Sequence, residues 1–127
     1  MTFRGRWVKR VKGLCVALTA GAACAQTDAA LGLQILSDRS GGNCVVCHMV
    51  PGVAGPASDF GPPLRGVGAR YSADQLRQWV TDARQIKPDS LMPPFGTTQG
   101  TLQANRAAPL LSAEQIQWVV AALQTLQ

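Results

Sequence analysis

The chain has 127 residues, with 12 Lys/Arg against 7 Asp/Glu and a formal net charge of +5. The imbalance is local: Arg4, Arg6, Lys9, Arg10 and Lys12 hold five of the positive charges, and the remaining seven match the seven acids. The charge therefore gives no basis for nucleic-acid binding or for attraction to an anionic membrane, and the length limits the chain to one small domain.

No acid interrupts the basic start, and a small, apolar run from Gly13 to Ala23 follows it, ending at Ala23-Cys24-Ala25. A basic segment, a short apolar segment and an A-x-A site are the marks of a secretory signal peptide. Residues 1–25 are expected to be cleaved, so that the mature domain is 26–127, begins at Gln26 and lies in the periplasm. The apolar run is short of the ~20 residues that span a bilayer, so no integral membrane protein is expected. A basic nucleic-acid arm does not fit, because the apolar run follows directly. A lipoprotein processed at Cys24 is the other alternative, but Gly21 stands where such precursors usually carry Leu. Cleavage removes Cys15 and Cys24 and leaves Cys44 and Cys47 as the mature cysteines.

The mature chain reads as all-helical. Thr27 or Asp28 can cap a helix running to about Arg39. Leu31, Ile35 and Leu36 mark its apolar face, and Gly32 leaves room for a second helix. Ser40-Gly41-Gly42-Asn43 breaks it. Next comes Cys44-Val45-Val46-Cys47-His48. Two thiols three apart, followed at once by an imidazole, form a c-type haem attachment motif. One helical turn brings both sulfurs to the same face, where they can form thioethers with the two vinyl groups on one porphyrin edge. His48 is the only histidine and is the candidate proximal ligand. A zinc half-site would need about four ligands, and only these three are offered. A thioredoxin-like pair should sit beside a βαβ pattern, and no run alternates like a strand.

Val50 to Pro63 is rich in Gly and Pro and reads as a loop. Ser72-Ala73-Asp74-Gln75 reads as an N-cap leading into Leu76, Trp79, Val80 and Ala83, a helix to about Ile86 that Pro88 stops. Asp89 to Pro109 is a second irregular stretch. Ser112-Ala113-Glu114-Gln115 resembles a capping box, and Ile116, Val119, Val120, Leu123 and Leu126 form a final apolar stripe. The domain would bury only about two thirds of its unfolded surface, so a haem would supply much of the missing core.

The mature chain has two methionines, Met49 and Met92. Met49 is next to His48 and cannot reach the other haem face. Met92 lies in Leu91-Met92-Pro93-Pro94-Phe95-Gly96, where prolines keep the backbone out of helix. Met92 is therefore the candidate second iron ligand, in the known His/Met pairing. The apolar stretch around Phe95, with Val45, is expected at the exposed haem rim.

From Gln26 onward the chain resembles a class I cytochrome c, which implies three or four helices wrapped around one covalent haem c. Gly61-Pro62-Pro63-Leu64 resembles that family's Gly-Pro-x-Leu loop. The resemblance implies that the Pro62 carbonyl accepts a hydrogen bond from His48 Nδ1, that Arg70 lies near a haem propionate, and that Trp79 packs on the Met side of the haem and is buried. Asp82-Ala83-Arg84, Lys87-Pro88-Asp89-Ser90-Leu91-Met92-Pro93-Pro94-Phe95-Gly96 and Gly42-Asn43-Cys44 resemble the SoxX subunit of the SoxAX cytochromes. That resemblance implies an electron-transfer subunit of an L-cysteine S-thiosulfotransferase. Its partner would be a SoxA-like cytochrome, which couples thiosulfate oxidatively to a cysteine of a SoxYZ-like carrier, with the electrons leaving to a cytochrome acceptor. No residue of this chain is expected to be catalytic. A free periplasmic monohaem cytochrome c, moving electrons between respiratory complexes, is the alternative.

Overall fold

The structure, a computed structural model, describes residues 26–56, 58–100 and 106–127. The leader expected over 1–25 lies outside these residues. The described chain contains four α-helices and no strand: α1 (Asp28–Ser37), α2 (Val67–Arg70), α3 (Ala73–Asp82) and α4 (Ala113–Thr125). Two 3-10 turns, Cys44–Val46 and Ala83–Gln85, complete the regular structure.

The helix starts follow the side chains expected to cap them. Thr27 Oγ1 accepts from Ala30 N–H at 3.3 Å, and Asp28 stands in the first turn of α1, where a negative charge suits the helix dipole. Ser72 and Gln75 form a reciprocal capping box on α3, with bonds of 3.3 and 2.8 Å. Ser112 and Gln115 repeat it on α4 at 3.1 and 2.9 Å. Each box satisfies two backbone donors that the helix itself cannot.

The ends lie closer in than their apolar patterns reach. α1 stops at Ser37, not Arg39, because Asp38 turns extended and its carboxylate takes the Ser40 N–H and Oγ–H at 2.9 and 2.7 Å. That local bonding competes with helix. α3 stops at Asp82 for a similar reason: Asp82 is extended and its carboxylate accepts from Arg84 N–H, leaving a 3-10 turn to carry the chain to Ile86. α2 was not anticipated. It is a single turn entered through Gly66 at φ +70, with no side-chain cap to announce it.

α4 is the central support, packing against α1, α2 and α3. Ile116, Val119, Val120, Leu123 and Leu126 are all buried, as their spacing implies. Gly32 allows α1 to cross α4 at close range: a Cβ there would lie 2.0 Å from the Trp118 carbonyl oxygen. Gly68 does the same for α2, donating its N–H to Leu126 O at 2.9 Å. Residues of both long loops, 60–62 and 89–92 among them, border one side of the apolar core.

Candidate haem site

The haem motif is held on α1 by its flanking residues. Asn43 takes the left-handed conformation at φ 46. Gly42 is buried where a Cβ would lie 2.9 Å from Ile35 O and 3.2 Å from Cys44 Sγ. The chain then makes one tight turn, closed by Cys47 N–H to Cys44 O at 3.1 Å and His48 N–H to Cys44 O at 2.9 Å. Cys44, Cys47 and His48 thereby face the same cavity, which has a volume of about 630 Å³. That lies within the ~300–1,000 Å³ typical of cofactor sites. Its walls are mainly apolar: Leu36 from α1, Leu76 and Val80 from α3, Val119 and Leu123 from α4, with Phe95 and Leu111 from the loops.

The Gly-Pro loop runs beside the motif. Gly61 N–H donates to Cys47 O at 2.7 Å, and Leu64 N–H donates to Met49 O at 2.9 Å. Between these bonds, His48 Nδ1 meets Pro62 O at 2.7 Å. A carbonyl can only accept, so Nδ1 carries the proton in this bond and Nε2 is the nitrogen left for a metal. Gly61 lies flat against the ring, where a Cβ would come within 2.6 Å of Cε1. The imidazole is thus fixed in tautomer and in orientation, as a metal-ligating histidine requires.

Met92 borders the same cavity and is half-buried. Its N–H donates to Ser90 Oγ at 3.3 Å. The return arm of its loop is tied to α3 by Phe95 N–H to Val80 O at 3.3 Å and Gly96 N–H to Thr81 O at 3.0 Å. Trp79 also lines the cavity but is half-buried rather than fully covered, and Tyr71 meets it edge-on with centroids 6.4 Å apart. Tyr71, Phe60 and Lys87 are cavity-lining residues that the sequence reading missed. Tyr71 could have been found as the only tyrosine beside the α3 cap, and Phe60 as the aromatic preceding Gly61. Arg70 is exposed and does not line the cavity; its Nη1 donates to Arg65 O at 2.8 Å.

The expected apolar rim is corrected. Phe95 and Val45 are each only 6 % exposed. The backbone bonds of Phe95, to Val80 and from Leu111 N–H at 2.9 Å, draw its ring into the core. Val45 packs under Gly55. The exposed apolar side chains at the cavity are instead Phe60 and Leu91, at 68 % and 76 %.

The residues present suit a covalently attached haem. Burial pushes the Cys44 thiol up to about 11, which makes it a poor redox nucleophile of the thioredoxin kind. Among the described residues no three His, Cys, Asp or Glu side chains are grouped to hold a bare metal ion. Two thiols and an oriented imidazole at the edge of an apolar cavity match the donor set of haem c. No helix of the described residues is long and apolar enough to cross a membrane.

The cytochrome c family model matches residues 29–127. No curated protein matches the chain. Among solved structures, a chain of the crystal structure of SoxXA from P. pantotrophus is similar, with 34 % identity and a TM-score of 0.71, covering 81 % of this chain and 84 % of that one. Family match, helical architecture and CxxCH motif agree: the chain belongs to the cytochrome c family, as a class I c-type cytochrome close to SoxX.

Proposed function

We propose that this cytochrome c electron-transfer protein is the SoxX-like subunit of an exported SoxAX-type heterodimer. The observation that carries this is the 34 % identity to a chain of SoxXA over most of both chains, together with a site built for a closed electron carrier. Haem c, bound through Cys44 and Cys47, supplies a one-electron couple.

Every other task falls to the chain. His48, with Nδ1 committed to Pro62 O, offers Nε2 to the iron as proximal ligand. Met92 offers its thioether as the second ligand from the loop tied to α3. With both side chains bound, the iron would have no position for substrate, and bond-making in the complex would belong to the partner. The apolar walls exclude water and disfavour the extra positive charge of the ferric state. They act in the same direction as the Met ligand, toward a raised potential. Trp79, which lines the cavity, would pack beside the cofactor, while Arg70 would reach a propionate only by leaving Arg65 O.

Residues 26–127 carry equal numbers of Lys/Arg and Asp/Glu, so long-range steering of a partner is weak. Phe60 and Leu91, exposed at the cavity, form the rim offered to a SoxA-like cytochrome. A SoxYZ-like carrier would be reached through that partner, and a downstream cytochrome would receive the electron.

The test is capture of partners by the mature holoprotein from thiosulfate-grown cells, with identification by mass. A SoxA-like cytochrome in equal amount is expected, and Phe60→Ser should weaken the pair without altering the haem spectrum. Recovery of the protein alone, at physiological and at reduced salt, supports the free carrier instead.

A further inference from the structure

The proposed function leaves Asp82 and Arg84 without a task, yet they form the most heavily bonded polar group among the described residues. Asp82 is the one buried charged residue there, 7 % exposed, and it sits where α3 ends. Its Oδ1 accepts from Arg84 N–H at 3.1 Å and Arg84 Nε at 2.8 Å. Its Oδ2 accepts from Arg84 Nη2 at 2.9 Å and Gln85 Nε2 at 3.3 Å. The guanidinium then reaches across the fold, donating from Nη2 to Gln99 O at 2.9 Å and from Nη1 to Gly100 O.

Gln99 and Gly100 lie on the return arm of the loop that carries Met92. The arm is therefore fastened to three consecutive residues of α3. Val80 and Thr81 hold Phe95 and Gly96 by backbone bonds, and Asp82 holds Gln99 and Gly100 through Arg84. Met92 needs such fastening. It borders the haem cavity and also a second cavity of about 350 Å³, lined by Arg84, Pro93 and Pro94 among others. Its side chain is only half-buried where it packs against the core, so the ties of its loop add to what packing fixes.

We infer that Asp82 and Arg84 are positioning residues for Met92: their ion pair fixes the return arm of the loop at the end of α3 and holds the thioether on the haem. This rests on Met92 being an iron ligand. Arginine suits the place because one rigid planar fork serves a carboxylate and two carbonyls together, whereas lysine offers its donors from a single point.

The experiment uses the ferric holoprotein and imidazole, a ligand that must displace Met92 to bind. Wild type, Arg84→Gln, Arg84→Lys and Leu126→Ala are titrated while the charge-transfer band of Met-ligated ferric haem is followed. Leu126→Ala truncates a core side chain that does not line either cavity, so it lowers Tm without touching the loop. Arg84→Gln is expected to bind imidazole about tenfold more tightly, equivalent to ~1.4 kcal/mol. Arg84→Lys should shift the same way by a smaller factor, and Leu126→Ala should bind as wild type does. If Arg84→Gln yields no holoprotein, Arg84→Lys decides alone. Arg84 variants that bind imidazole no more tightly than Leu126→Ala would overturn the inference, leaving the pair a structural brace. A wild type without the band would overturn the Met92 assignment itself, and the inference with it.

Discussion

Replacing Gly61 by alanine should dislodge the proximal imidazole. A Cβ at this position would lie 2.6 Å from His48 Cε1, 2.8 Å from Nδ1 and 3.0 Å from Nε2. Non-bonded carbons prefer about 3.5–4.0 Å, so ring or loop must retreat by roughly 1 Å. Neither is free to do so. Gly61 N–H is bound to Cys47 O at 2.7 Å, and the ring is bound to Pro62 O at 2.7 Å. Overpacking of this kind costs about 1–3 kcal/mol, and losing the Nδ1 bond adds about 1 kcal/mol. For a domain of this size each kcal/mol lowers Tm by about 4–8 °C. Thermal unfolding of the holoprotein, followed by circular dichroism, should therefore show a drop of at least ~8 °C. The reduction potential should rise as well, because an imidazole that no longer donates from Nδ1 is a less basic ligand. A Tm within about 3 °C of wild type, together with an unshifted potential, would refute the reasoning, since it would mean that the ring yields freely.

Met92→Ala should abolish the Met charge-transfer band, lower the potential and allow carbon monoxide to bind the ferrous protein; persistence of the band in the variant would remove Met92 from the iron. Asp82 should make stability acid-dependent. Its hydrogen bonds from Arg84, which outweigh the cost of burial, hold the carboxyl down to about 2 from an ordinary 3.8. By linkage the contribution of the depressed group is fully present above pH ~4 and is lost as pH falls through the folded value. Denaturant titrations of wild type and Asp82→Asn across that window should show a steeper loss of stability in wild type, since Asp38 is depressed in both, and parallel curves would contradict the ion pair. Gly32→Ala gains about 1 kcal/mol of helix propensity but places a Cβ 2.0 Å from Trp118 O and 2.8 Å from Ala122 Cβ. Separating α1 from α4 should cost about 3 kcal/mol or more, so urea unfolding should show net destabilisation, and a stabilised variant would mean that the helices do not cross here.

The helices were legible because their signals are local. Ser72-Gln75 and Ser112-Gln115 are short-range capping pairs, and the α4 stripe repeats at a helical period that any long buried helix shows. The haem motif was legible because the chemistry demands two thiols and an imidazole at one spacing. What was not legible depends on where loops land. Phe95 reads as a surface residue in a Pro-rich segment, but its backbone is bonded to Val80 and Leu111, residues distant in sequence. Phe60 and Leu91 look no different from core residues until the loops that carry them are placed at the cavity mouth. The motif Asp82-Ala83-Arg84 marked a relationship to other proteins without disclosing its physical role, because the carbonyls that Arg84 reaches belong to Gln99 and Gly100. The end of α3 was misplaced for the same reason: the carboxylate that stops the helix looks like any helical aspartate until its partners are seen.

Under the proposed function, this chain accepts the electrons released when a SoxA-like partner couples thiosulfate to a carrier cysteine. The most direct measurement mixes the oxidised mature holoprotein with its purified partner cytochrome, a SoxYZ-like carrier and thiosulfate, and follows the absorbance of this chain's haem by stopped flow. Reduction that requires all three components, and that is abolished when the carrier cysteine is blocked, is the expected result. A haem that stays oxidised while thiosulfate is consumed, or that is reduced equally well without partner and carrier, would contradict the account.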